Sequence, residues 1–562
     1  MKLFYFSIIL FFSIFINAQN PTFDWAKNLG SPNINTSSTS GNSIAVDNSG
    51  NIYTTGHFSG VTDFDPGVGT YNLSSPYGHV YVSKLNASGG FLWAKKLYPG
   101  YFYNNLPSIK TDASGNVYLA YRDSITKLSS SGSIVWAKYI GPLGFNPHFT
   151  IDVIGNILLC GQFSGLVDFN SGSGIDTIRA KGISISDAFI LKLDNNGDFI
   201  WVKSIGSVNI YSVSVGSNKH CNATSIAVGP TGNVFVTGEF GNVVDFNPSS
   251  TTYTLGDVFS SDKRLFLLNL DASGNFVWAK NSIGGTVYDV HSMIIDNNTI
   301  YITGSFEGTV GFDGVSATNG LSTPLFSISA FLVKYDINGN YIGGRQMGGY
   351  VNGSHTSGVS VNIDAAGNTY VMGQFNGTIS VGWINVLIST AGSNSSVSDI
   401  FISKYDNIGN CVWAGSFGNG FIYFDSKCEM VNDATGNIYI VGAYSGLCDF
   451  DMGTSTFTMA PQPGNTDAFI LKLGNTVIGV EELSKNNSLI VFPNPNNGVV
   501  TIKTSSEGSY QLINSLGQTI KIFQLNSENN FTTTINELPQ GLYTLIGKEK
   551  NHAVSQKIIA IE

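Results

Sequence analysis

Asp271-Ala-Ser-Gly-Asn275 followed by Trp278-Ala-Lys280 is the stretch on which the fold turns, because degenerate copies of it run from residue 24 to residue 473. The spacing is roughly 40 to 75 residues and only strand-like segments lie between, which predicts a radial or stacked all-β array. Asp can cap its own turn while Gly takes the positive φ that closes it, so the short motif reads as a hairpin.

Turns of this type recur at Asp47-Asn-Ser-Gly-Asn51, Asp112-Ala-Ser-Gly-Asn116, Asp152-Val-Ile-Gly-Asn156, Gly229-Pro-Thr-Gly-Asn233, Asp296-Asn-Asn-Thr299, Asp364-Ala-Ala-Gly-Asn368 and Asp433-Ala-Thr-Gly-Asn437. The alternation after them, as in Ile438-Tyr-Ile-Val441, predicts a strand with one buried face. A second hairpin follows in most repeats and leads to a strand carrying Trp93, Trp136, Trp201, Trp278 or Trp413, with Gly343 at that place in the fifth repeat. Four strands per repeat is the blade of a propeller. The indoles are expected to pack blade against blade. The last repeat stops at Lys472-Leu-Gly474 without its Trp strand, whereas Phe23-Asp-Trp25-Ala-Lys27 stands alone at the other end. The expectation is therefore an all-β, seven-bladed β-propeller over residues 19–474, closed by the amino-terminal strand through Trp25, with no exposed edge left by the ring.

Composition agrees with many short strands. The 562 residues include 65 Gly, and a net charge of -10 without a basic cluster argues against nucleic-acid binding. Lys2, an apolar run from Leu3 to Ile16 and a small residue at Ala18 read as a signal peptide over residues 1–18, cleaved between Ala18 and Gln19. No later run is long enough to suggest a transmembrane helix. Five cysteines without a Cys-x-x-Cys indicate neither a disulfide framework nor a zinc site, while one isolated bridge stays open.

The repeat resembles the seven-bladed beta-propeller repeat family of exported bacterial proteins, through Gly50-Asn-Ile-Tyr-Thr-Thr-Gly56-His-Phe58 and Gly232-Asn-Val-Phe-Val-Thr-Gly238-Glu-Phe240. That resemblance implies a fold and no activity. The second repeat departs from it by lacking the long insertion, and the fifth by Gly343-Gly-Arg345. Beyond a polar linker at 475–487, residues 488–562 read as a small β-sandwich. Phe492-Pro-Asn-Pro495-Asn-Asn-Gly498, Ser515-Leu-Gly517-Gln, Leu538-Pro-Gln-Gly541-Leu-Tyr543 and Lys557-Ile-Ile make it similar to the carboxy-terminal sorting domain of the type IX secretion system of Bacteroidetes. The sorting motif is carried by Pro493, Asn494, Pro495, Gly498, Gly517, Gly541, Tyr543 and Lys557. The resemblance implies the type IX machinery as a partner, passage through the outer membrane, and removal of this domain with attachment of the protein to a surface lipopolysaccharide, or release.

Candidate chemistry is sparse. Asp63-Phe-Asp65, Asp168-Phe-Asn170, Asp245-Phe-Asn247, Gly311-Phe-Asp313 and Asp449-Phe-Asp451 form a repeated acidic motif. Its alternating carboxylates at Asp63, Asp65, Asp449 and Asp451 would suit calcium; the competing reading has Phe packed and Asp capping a turn. No other cofactor is indicated. No His-Glu-x-x-His, Gly-x-Ser-x-Gly or phosphate loop occurs, and the seven His are scattered. The long links on one face of the ring, with Tyr71, Tyr77, Tyr98, Tyr101, Phe102 and Tyr103, are where a glycan, polymer or protein ligand would bind. A polysaccharide hydrolase or lyase and a purely structural surface component are the alternatives.

Overall fold

The computed structural model describes residues 21–31, 37–99, 106–141, 147–170, 172, 174–181, 186–208, 220–257, 262–317, 320–348, 353–382, 385–389, 397–423, 428–453, 455–474, 490–494, 496–504, 507–514, 519–549 and 552–560. Two compact units emerge, residues 1–475 and 476–562.

The larger unit is built from antiparallel meanders. Cys221–Val228, Val234–Phe240, Arg264–Leu270 and Phe276–Asn281 pair in chain order, and Ser108–Thr111, Val117–Tyr121, Ser124–Leu128 and Ile134–Tyr139 repeat the pattern. The hairpin turns follow from the side chains. Asp47 Oδ1 accepts the N–H groups of Ser49 and Asn51, both at 2.9 Å, while its Oδ2 takes the Asn51 amide and the Tyr53 hydroxyl. Asp112, Asp364 and Asp433 repeat this four-bond arrangement. In these four repeats a carboxylate thereby saturates the turn that starts the second strand.

Burial differs from the one-faced expectation. Every residue of Ile438–Tyr444 is buried, as are those of Val234–Phe240 and Thr369–Phe375. Sheets pack on both sides of these strands, so a polar residue among them such as Thr237 bonds to a strand carbonyl, that of Phe266 at 2.7 Å, as Thr303 of Thr299–Gly311 does to that of Phe331.

Thr22–Leu29 does not begin a meander. It pairs antiparallel with Asp467–Gly474, and that strand pairs in turn with Ile438–Tyr444. Trp25 faces Lys472 in this register, and its ring meets Tyr439 edge-on at 6.3 Å.

The smaller unit holds two sheets. Ile490–Phe492, Val500–Lys503 and Thr532–Ile535 form one; Thr519–Leu525, Gly508–Asn514, Gly541–Glu549 and His552–Ala560 form the other. Val500, Ile502 and Ile535 from the first share a core with Tyr510, Leu512 and Leu545 from the second.

Candidate functional site: a polar central cavity

The first strands of the meanders converge. Ser43–Val46, Ser108–Thr111, His148–Ile151, Cys221–Val228, Ile283–Asp296, Thr356–Ile363 and Glu429–Asn432 each touch the next in that order, and the last touches the first. They surround a cavity of about 360 Å³. Each first strand has a free edge whose N–H groups need partners. Serine hydroxyls of the neighbouring strand supply them: Ser43 to Ile109 N at 3.0 Å, Ser225 to Met293 N at 3.1 Å, Ser292 to Val361 N at 3.3 Å and Ser360 to Met430 N at 3.4 Å.

Glu429 takes the serine's place between the last and first of these strands. Its Oε2 accepts from Ile44 N at 3.1 Å and from the Ser43 hydroxyl, and its Oε1 meets Lys110 Nζ at 2.9 Å. Asn42, 5% exposed, lines the same cavity; its Oδ1 accepts from Ser40 Oγ, and its Nδ2 has no partner among the described residues. Sequence reading missed this group. The available signal was a polar residue directly before a buried apolar one, as in Ser43-Ile44, Ser225-Ile226, Ser360-Val361 and Glu429-Met430.

The acidic motif lies elsewhere and is occupied with backbone. Asp63 Oδ1 accepts from Asp65 N at 3.0 Å and from Tyr71 N at 2.8 Å, and Asp65 Oδ1 from Gly67 N at 2.9 Å. Asp449 and Asp451 do the same toward Asp451 N, Phe457 N and Gly453 N. The intervening Phe64, Phe169, Phe246 and Phe450 are buried and meet Phe58, Phe163, Phe240 and Tyr444 edge to face at 5.1 to 5.4 Å. Each motif thus closes its own hairpin and anchors it by one ring. Among the described residues no group of three or more His, Cys, Asp or Glu is arranged to hold a metal ion.

The hairpins also reach the preceding meander. Asp63 N donates to Gly30 O at 2.8 Å, Asp245 pairs with Gly206, Val381 with Met347 and Asp449 with Gly418. Burial beside such a junction pushes the Asp467 carboxyl up to about 6, despite bonds from Asn28 and Ser31, and raises Asp187 likewise.

Of the expected loop aromatics, Tyr77 is 82% exposed, Tyr71 meets Phe91 in a tilted ring pair at 4.9 Å, and the Tyr98 hydroxyl bonds to Thr126. Tyr101, Phe102 and Tyr103 lie outside the described residues, as do Ala18, Gln19, Pro495 and Gly517. In the smaller unit Pro493 and Asn494 follow the first strand, Gly498 O accepts from Leu538 N at 2.8 Å, and the Tyr543 hydroxyl donates to Pro539 O at 2.7 Å. Gly541 pairs with Ala560, and Lys557 lies opposite Thr544. None of the five cysteines forms a disulfide.

Family comparison matches residues 24–64 to the beta-propeller repeat and residues 490–562 to the secretion system C-terminal sorting domain. The chain is a β-propeller protein with a type IX sorting tail. An uncharacterized WD repeat-containing protein of Acanthamoeba polyphaga mimivirus is 23% identical over 382 residues, 65% of this propeller chain but 26% of the relative's length. Among solved structures, the Pan2 WD40 domain of Neurospora crassa is 9% identical, with 76% and 88% of the two chains covered and a TM-score of 0.34. A polysaccharide lyase, ulvan lyase, is 10% identical, covering 80% and 97% with a TM-score of 0.38. The sorting tail marks the propeller for export by the secretion machinery, to the medium or to the cell surface. No described helix is long and apolar enough to cross a membrane.

Proposed function

We propose that the larger unit is a seven-bladed propeller spanning residues 19–474, closed by Thr22–Leu29, and that it works outside the cell as a non-catalytic module binding a glycan, polymer or protein. Residues 475–487 link it to a sorting β-sandwich at 488–562. The pairing of Thr22–Leu29 with Asp467–Gly474 supports the closure. One observation carries the binding reading: a polar cavity opens where first strands from all the meanders meet, while the repeated carboxylates are committed to turns. Rigid scaffolds present ligand sites in such concavities. On the same ground, Asp63, Asp65, Asp449 and Asp451 act as hairpin caps rather than calcium ligands.

The test is retention by the full chain from residue 19 onward on glycan arrays and in pull-downs with extracellular polymers and surface proteins. Saturable capture without product release supports the reading. Release of reducing or unsaturated sugar ends would replace it with a hydrolase or lyase, and absence of any retained ligand would leave an architectural component.

A further inference from the structure

Six repeats insert a short antiparallel hairpin between their second and third strands. In the second repeat, Val117–Tyr121 and Ser124–Leu128 are joined by Arg122-Asp123 alone. Three of the inserted hairpins lay an aromatic ring on the residue that opens the fourth strand of their own repeat. Tyr71 meets Phe91 at 4.9 Å, Tyr253 meets Phe276 at 4.9 Å and Phe457 meets Phe23 at 4.8 Å, with ring planes tilted by 34 to 40°. Under this cover the alanine after the tryptophan is buried: Ala94 is 2% exposed, Ala279 1% and Ala26 6%.

The second repeat has the same fourth strand, Ile134–Tyr139, without the cover. Ile134 is 61% exposed and Tyr139 58%, and Ala137 is exposed as well. The three share one face, opposite Leu128, Ser124 and Thr126 in the order Ile134, Tyr139, Ala137. Tyr98 stands five residues after Trp93, where Gly30, Gly206 and Gly418 follow their own tryptophans by the same interval and meet hairpins. The Tyr98 hydroxyl bonds to Thr126 and its ring meets Tyr121 at 5.9 Å, so it occupies the seam beside Thr126 while Ile134, Ala137 and Tyr139 remain bare. The bare strip continues the apolar cluster between the first and second meanders, which holds Leu128 with Leu97 and Tyr98 packed against it.

We propose that Ile134–Tyr139 is a docking surface for an extended peptide segment of another protein, which lays an aromatic side chain on Ile134 and Ala137 as the chain's own hairpins do in other repeats. Ile134–Tyr139 ends its four-stranded sheet, which leaves one edge for an incoming strand. A peptide is favoured over a sugar because the repeats that fill this place fill it with a strand, and because Ile134 and Ala137 present no side-chain donor or acceptor to sugar hydroxyls. The surface is separate from the central cavity, so neither result below bears on ligand binding there.

The test pans a phage-displayed library of linear dodecapeptides against the full chain from residue 19 onward, after depletion on the Ile134→Asp variant. Enriched peptides should carry an aromatic residue within an alternating apolar pattern. Their affinity should fall about tenfold or more with Ile134→Asp and with Tyr139→Glu. Val277→Asp, at a position 47% exposed on the fourth strand of a covered repeat, should leave it unchanged. Should Ile134→Asp fail to fold, depletion and comparison pass to Tyr139→Glu. No enrichment after depletion, enriched peptides without an aromatic residue, or affinity unchanged in the folded variants would overturn the proposal. So would three results that assign the strip to another occupant: a dimer of the chain that Ile134→Asp abolishes, a glycan whose retention on an array is lost in the same variant, or peptide binding that needs residues 100–105 replaced by Gly and Ser.

Discussion

Trp25 lies against Gly89 so closely that a β-carbon there would sit 3.2 Å from the indole Cζ2, and Gly89 holds φ at +80°. The same packing joins Trp93 to Gly132, Trp136 to Gly197, Trp201 to Gly274 and Trp278 to Gly339, each indole resting on the second hairpin of the meander that follows. At the fifth repeat, where Trp is missing, Arg345 Nε donates to Gly409 O at 2.9 Å instead. Trp25 therefore stands to the first meander as Trp93 stands to the second.

That equivalence makes a quantitative prediction. Trp25→Ala and Trp93→Ala should lower stability by similar amounts, roughly 2 to 4 kcal/mol each, because both remove a partly buried indole from the same kind of junction. Thermal unfolding of the two variants checks it. A silent Trp25→Ala beside a costly Trp93→Ala would mean that the amino-terminal strand does not close the ring.

Glu429 is the one acidic member of the inner serine series, and its effect should be structural as well as electrostatic. Glu429→Leu leaves Ile44 N and the Ser43 hydroxyl without their acceptor and should cost about 1 to 3 kcal/mol. Lys110→Met should cost less than about 1 kcal/mol, since Lys110 is 38% exposed and its pair with Glu429 is open to solvent. A double-mutant cycle by chemical denaturation separates the two. Equal losses for both single variants would contradict the edge-capping role.

The general architecture was legible because its signals are local. Asp-x-x-Gly-Asn turns and Trp strands are read within a few residues, and the structure has them making the bonds that turn chemistry requires. The central site was not, since Lys110 and Glu429 are 319 residues apart and meet only when first strands converge. The acidic motif sits between these cases. Asp63 and Asp65 read in sequence as carboxylates that would suit a cation, and in the structure Tyr71 N, eight residues on, bonds back to Asp63. The sequence shows the carboxylates but not the length of loop they close.

Capping and calcium binding part company on one measurement. If Asp63 and Asp449 serve the backbone, millimolar calcium or its removal with a chelator leaves the melting temperature unchanged, while Asp63→Ala lowers stability by about 1 to 2 kcal/mol and Asp63→Asn by less. A calcium-dependent rise in melting temperature that Asp63→Ala and Asp449→Ala abolish would restore the metal reading.

Asp467 gives the sheet that takes up Thr22–Leu29 a pH dependence. Burial holds its folded carboxyl up at about 6, above the value near 3.8 expected of an unfolded Asp. The folded chain therefore binds this proton more tightly than the unfolded chain. The contribution of Asp467 to stability falls as pH rises from about 4 to about 6 and stays at its reduced level above that. Asp467→Asn keeps a carbonyl oxygen for the Asn28 amide and removes the ionisation. Relative to the unmodified protein, this variant should gain stability as pH rises from 4 to 7.5, by about 1 to 3 kcal/mol in the difference. Denaturation at pH 4, 5, 6 and 7.5 traces that difference curve. A flat difference would show that Asp467 titrates normally and that the junction beside Gly30 is more open to water than its burial implies.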